Sequence, residues 1–161
     1  MPEDVVLDMG TGSGIQAITA AQRGGRVVAV DINPEAVKYA KRNAKLNGLE
    51  ERVSVLQGAL FAPLSNDDRF DIILFTPPYL KGFAKTNFDR ALFDPNKTIA
   101  LRFFEGAKRH LKENGYVQMI YSSIAEPEKI FKILDELGWK HMIIARKKRV
   151  FEEFIIYRLT R

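Results

Sequence analysis

The sequence predicts a doubly wound α/β domain of seven strands, mostly parallel, with the last strand antiparallel. Two stretches carry the prediction. Val5-Val6-Leu7-Asp8 is an apolar run ending in an acid, and Gly10, Gly12 and Gly14 follow at alternate positions before a helical pattern opens at Ile15. Arg26-Val27-Val28-Ala29-Val30-Asp31 is a second apolar run ending in an acid, 17 residues after Gly14. A buried strand, a tight glycine turn and a helix start, repeated as strand and helix, make a parallel sheet wrapped by helices.

The first strand begins almost at Met1 and ends at Asp8. Glycines follow because a backbone without Cβ atoms can turn sharply and let a ligand touch it. The spacing departs from the dinucleotide fingerprint, which wants a small residue at the sixth position from Gly10, where Ile15 stands. Asp8 would also repel a pyrophosphate. A ligand ammonium suits Asp8 better, and a ligand carboxylate suits the N–H groups at the helix start. S-adenosyl-L-methionine carries both groups. Asp31, at the tip of the second strand, can accept both ribose hydroxyls.

With Asp8, Gly10, Thr11, Gly12, Ser13, Gly14 and Asp31 in this arrangement, the chain resembles the class I S-adenosylmethionine-dependent methyltransferases over nearly its whole length. The resemblance implies a Rossmann-like sheet in the order 3-2-1-4-5-7-6, with S-adenosyl-L-methionine as cofactor. It also implies an upstream segment covering the cofactor. Only four residues precede the first strand, so a partner supplies that cover or the true start lies upstream of Met1.

The remaining elements follow in order. The first helix is expected from Ile15 to Arg23, stopped by Gly24-Gly25. Asn33 is a good N-cap and Pro34 a good first residue for the second helix, with Ala36, Val37, Ala40 and Ala44 on one face and Asn47-Gly48 at its end. Val53 to Leu56 is the third strand. Many members of the class then place an acid against the adenine amine. Ala59 stands there instead, so Ile32 and Leu60 are expected to hold adenine by apolar contact. Asp71 to Phe75 is the fourth strand and delivers Thr76-Pro77-Pro78-Tyr79.

Leu80 to Asn96 shows no element, and a loop this long is usually functional or disordered. It interleaves Lys81, Phe83, Lys85, Phe88, Arg90 and Phe93, a mixture that suits bases and phosphates or a partly packed loop. Asn96 or Thr98 can cap a third helix with Ile99, Phe103, Ala107 and Leu111 inward, ended by Asn114-Gly115. Tyr116 to Tyr121 is the fifth strand. Glu126-Pro127 opens a fourth helix with Ile130, Phe131, Leu134 and Leu137 inward, ended by Gly138. Trp139 to Ala145 and Val150 to Leu159 are the last two strands, joined by a turn of Arg146, Lys147, Lys148 and Arg149.

Composition narrows the chemistry. The chain has 161 residues, 46% of them hydrophobic, which suffices for one domain with its own core spanning residues 1–161. It has no cysteine, so disulfides, a thiol nucleophile and thiolate metal sites are excluded. His110 and His141 lie on different elements and read as ordinary surface residues rather than metal ligands. Neither a membrane span nor a secretory leader is visible, and a cytoplasmic protein without a metal is expected. The net charge of +5 allows an anionic partner.

Methyl transfer from a sulfonium needs little more than a well-held acceptor. The acceptor nitrogen must sit within about 3–3.5 Å of the methyl carbon. Thr76-Pro77-Pro78-Tyr79 suits a planar amide or base amine, because two prolines fix the backbone, the Pro77 carbonyl can accept one N–H, and Tyr79 can stack on the flat face. The loop resembles the Asn-Pro-Pro-Tyr motif of methyltransferases acting on exocyclic base amines or on glutamine side chains, including the release-factor glutamine group. Thr76 replaces the asparagine. The resemblance places the loop across one crevice from the glycine turn.

These features point to an N-methyltransferase acting on the translation apparatus. The basic turn and the basic-aromatic loop favour an RNA base amine over a glutamine of a release factor or other protein. The resemblance also allows a small activator protein as partner. Thr76, Ala59 and the missing upstream cover suit a third reading, a cofactor-binding inactive subunit that activates a partner.

Overall fold

The computed structural model describes residues 3–78, 93–94 and 96–161. The elements run β1 (Val5–Met9), α1 (Ile15–Gln22), β2 (Arg26–Asp31), α2 (Pro34–Leu46), β3 (Val53–Gln57), β4 (Phe70–Phe75), α3 (Thr98–His110), β5 (Leu111–Ser122), α4 (Pro127–Glu136), β6 (Lys140–Lys148) and β7 (Glu153–Thr160). The sheet has seven strands in the order β3-β2-β1-β4-β5-β7-β6, as the sequence predicts. The chain divides into two compact units. One comprises Met1–Leu74 with His110–Gly115, the other Phe75–Arg109 with Tyr116–Arg161.

The first unit is built on three parallel strands. β1 pairs with β2 from Val5↔Arg26 to Met9↔Val30, and β2 with β3 from Val27↔Val53 to Asp31↔Gln57. In-register parallel pairing brings Met9, Asp31 and Gln57 to one end of the sheet. α1 and α2 cover it with small residues, Ala17, Ala21, Ala40 and Ala44, packed among Val6, Val27, Val53 and Val55. Small side chains let the helices sit close, and a Cβ on Gly14 would stand 3.2 Å from the Ala40 Cα. α2 starts as its sequence dictates: the Asn33 side chain accepts the Glu35 N–H at 3.0 Å and Pro34 takes the first turn. The Asp71 carboxylate accepts the Val5 N–H at 2.8 Å and pairs with Lys112 at 2.7 Å. Those bonds hold it below the ordinary carboxylate range, against the desolvation that would raise it.

The second unit has an aromatic core. Phe75 stacks on Phe103 at 3.7 Å between centroids, and Phe104 meets Phe75, Phe103 and Trp139 edge-on. Phe103 is fully buried, as its helical spacing predicts, and so is Phe104. β7 runs antiparallel to both β5 and β6, so β6 is parallel to β5.

Several expectations change. α3 is not capped by Asn96 or Thr98: the buried Asp94 carboxylate accepts the N–H groups of Ile99 and Ala100 at 3.0 and 3.1 Å. Lys97 turns the chain with φ +55 between the cap and the helix, so the capping acid stands further back than a regular N-cap. Helix α3 ends at His110, ahead of Asn114-Gly115, and β5 starts at Leu111. A Cβ on Gly115 would stand 2.8 Å from the Phe70 carbonyl, so this glycine admits backbone against backbone rather than ending a helix. The basic residues 146–148 belong to β6, where Arg146, Lys147 and Lys148 oppose Ile155, Phe154 and Glu153. The reversal falls on Arg149 to Glu152, closed by the Arg149 N–H on the Glu152 carbonyl at 2.7 Å.

Candidate cofactor and acceptor site

The glycine turn is held from three sides. The Gly10 and Thr11 N–H groups bond to the Val30 carbonyl at 2.8 and 3.0 Å, fastening the turn to the end of β2. Asp31 accepts the Gly12 N–H on Oδ2 at 2.8 Å and the Asn33 N–H on Oδ1 at 2.9 Å. From α2, Asn43 donates its side-chain N–H to the Ser13 carbonyl at 2.9 Å. Gly10, Gly12 and Gly14 have φ of +72, +56 and +85. A Cβ at Gly10 or Gly12 would meet nothing within 4 Å, so the turn leaves open space there that a ligand can enter.

Asp8 lies beneath the turn at 0% exposure. Its Oδ2 accepts the Thr11 hydroxyl at 2.6 Å and the Ala17 N–H at 3.0 Å, so it caps α1 from inside. Oδ1 is buried without a hydrogen-bond partner. Burial pushes the Asp8 carboxyl up to about 6, against the lowering by Thr11 and Ala17. One oxygen of this acid is therefore engaged in the turn, and the other is buried beside it.

The turn after β3 is tied to the same strand end. The Gly58 N–H bonds to the Asp31 carbonyl at 2.9 Å. Ala59 is exposed and Leu60 half-buried with φ +50, while Ile32 is exposed at 40%. Asp31, Ile32, Ala59 and Leu60 therefore flank one sheet end. The orphaned Asp8 oxygen, the bare backbone at Gly10 and Gly12, the acceptors of Asp31 and the exposed Ile32 fit an ammonium, a ribose and an adenine.

His110 corrects the reading of it as a surface residue. It is buried, stacks on Phe61 at 4.9 Å with the ring planes nearly parallel, and places Nδ1 3.0 Å from the Asp68 carbonyl. His141 is exposed and stacks on Phe131 at 4.8 Å. Asn43 and Asp94 are positioning groups that the sequence reading did not single out as such.

In the second unit, Thr76 is exposed and Pro77 and Pro78 are buried directly after β4. Tyr79 lies outside the described residues, as do Lys81, Phe83, Lys85, Phe88 and Arg90. Phe93 is half-buried. No helix among the described residues is long and apolar enough to cross a membrane.

Comparison with known proteins agrees with this architecture. The chain is 39% identical to a provisionally named protein N5-glutamine methyltransferase of Methanocaldococcus jannaschii, over 94% of this chain and 78% of that protein. It is 33% identical to the tRNA1(Val) (adenine(37)-N6)-methyltransferase of Haemophilus influenzae, over 71% of this chain and 52% of the relative. Several bacterial glutamine methyltransferases match about half of this chain, and the matched part is about a quarter of their own length. The crystal structure of the ribosomal protein L11 methylase from Lactobacillus delbrueckii subsp. bulgaricus superposes with a TM-score of 0.72 at 26% identity, covering 96% of this chain and 69% of that one. The methyltransferase domain family matches residues 2–153. The chain belongs to that family, as an enzyme whose methyl donor is S-adenosylmethionine.

Proposed function

We propose that this enzyme methylates the side-chain amide nitrogen of a glutamine in a protein of the translation apparatus. The likeness to the Methanocaldococcus jannaschii protein carries the reading, because it runs nearly end to end rather than over the cofactor-binding half alone. That shifts the balance from the RNA base amine favoured by charge. In the proposed site Gly10 to Gly14 and Asp8 receive the amino-acid end of the cofactor, Asp31 the ribose, and Ile32, Ala59 and Leu60 the adenine. The cofactor supplies a methyl group already activated on a sulfonium.

The chain's remaining task is to hold a weakly nucleophilic amide in line. Thr76 and the Pro77 carbonyl are assigned to its N–H groups and Tyr79 to its planar face. Prolines at 77 and 78 fix the backbone and present no N–H donor of their own to the amide.

An RNA base amine is the second reading, favoured by the run Arg146 to Arg149 and by the likeness to the tRNA enzyme. The deciding experiment offers release factors, ribosomal proteins, tRNA and ribosomal RNA side by side with labelled S-adenosylmethionine, with and without cell extract to supply an activator. Label in protein but not RNA supports the first reading. Label in RNA alone overturns it.

A further inference from the structure

Residues 140–151 contain Lys140, Arg146, Lys147, Lys148 and Arg149 and no acid. Five positive charges thus fall within twelve residues of a chain whose net charge is +5. The acids on the returning side are already engaged: Glu153 pairs with Arg146 at 3.1 Å, and Glu152 accepts the hydroxyl of the buried Ser122. No ion pair reaches Lys147, Lys148 or Arg149 among the described residues. All nine residues of β6 are exposed, and β6 is the last strand of the sheet. At the tip, Val150 is 87% and Phe151 91% exposed.

A bare aromatic ring beside unneutralised cations is costly to leave in water, and it suits a polyanion with flat apolar faces. A β-strand partner fits less well. Lysines along an edge and the register shift between Ile143 and Ala145 are the devices by which edges resist strand addition. We propose that the β6–β7 hairpin docks single-stranded RNA, with Lys147, Lys148 and Arg149 on phosphates and Phe151 stacked on a base. The inference rests on the proposed function only in taking the substrate from RNA-containing machinery, and it is independent of which nitrogen is methylated.

The test is fluorescence anisotropy of the full chain with a labelled short oligouridylate, competed by heparin and by poly-glutamate. The native protein should bind RNA at low salt and prefer it to poly-glutamate. Replacing Lys147, Lys148 and Arg149 together by glutamine should flatten the slope of log affinity against log salt by about 2. Phe151→Ala and Phe151→Leu should each weaken RNA binding roughly five- to a hundred-fold and leave heparin binding unchanged. S-adenosylhomocysteine affinity should stay the same in every variant, which shows that each is folded. No RNA binding by the native protein, an unchanged salt slope, equal loss of heparin and RNA on changing Phe151, or preference for poly-glutamate would each overturn the proposal. RNA binding is read without methyl transfer, so this result and the glutamine reading stand or fall separately.

Discussion

The Asp31 carboxylate at the end of β2 accepts the Gly12 N–H at 2.8 Å, fastening the glycine turn to the strand beside it. One oxygen of Asp31 thus positions the turn, and both oxygens keep lone pairs for hydroxyl groups. Asp31→Ala should weaken S-adenosylhomocysteine binding by roughly ten- to a hundred-fold, the loss of about one charge-assisted hydrogen bond at 1.5–3 kcal/mol. A ligand lacking the ribose hydroxyls separates the two roles. Native protein should discriminate against it in calorimetry, and Asp31→Ala should not. Equal discrimination by both proteins would remove Asp31 from the ribose.

Asp8 predicts a pH dependence. Its carboxyl is pushed up to about 6 when folded, from 3.8 as the reference value. The folded chain therefore binds this proton more tightly than the unfolded chain. The stability it contributes is fully present below about pH 4 and is lost as pH rises through 6, about 3 kcal/mol in all. Asp8→Asn should flatten that part of the curve in denaturant titrations. A ligand ammonium at Oδ1 favours the ionised carboxylate, so S-adenosylhomocysteine affinity should rise with pH up to about 6 and level off above it. Affinity flat from pH 5 to 8 would contradict the pairing.

Two glycines distinguish space for a ligand from space for packing. A Cβ at Gly14 meets Ala40 at 3.2 Å and also carries the left-handed φ, so Gly14→Ala should destabilise the fold by more than about 1–2 kcal/mol. Gly12→Ala meets nothing within 4 Å. It should cost only the backbone term, about 1–2 kcal/mol, yet lower cofactor affinity more than tenfold. Thermal melts with and without S-adenosylhomocysteine read both quantities. Gly12→Ala that melts lower but binds normally would place the cofactor elsewhere.

These predictions concern parts that local sequence made legible. A strand, a glycine turn and a helix start lie within about twenty residues, so Asp8, the glycines and Asp31 could be read from spacing, and Asn33-Pro34 fixed the start of α2. What depended on distant partners was not legible. His110 is buried because Phe61 and the Asp68 carbonyl come to it from far along the chain. Asp94 caps α3 across an intervening left-handed Lys97, which no regular cap spacing describes. The four cations read as a turn because their charge hid the pairing of 146–148 with Ile155, Phe154 and Glu153 of β7. Tyr79 lies outside the described residues, so the acceptor loop stands on its sequence and on Thr76, Pro77 and Pro78.

Thr76 tests the acceptor assignment. Thr76→Val keeps the shape and removes the hydroxyl. Losing one neutral hydrogen bond of about 0.5–1.5 kcal/mol in the transition state should lower kcat roughly two- to twelve-fold, with cofactor affinity unchanged. An unaltered kcat in single-turnover assays would leave the Pro77 carbonyl as the sole proposed acceptor.

The most direct test of the account is mass spectrometry of translation proteins and RNA after incubation with the enzyme and S-adenosylmethionine. The account predicts one added methyl group on a glutamine side-chain nitrogen, absent when Asp31→Ala replaces the native enzyme at limiting cofactor. Methyl groups found only on RNA bases, with every glutamine unmodified, would contradict it.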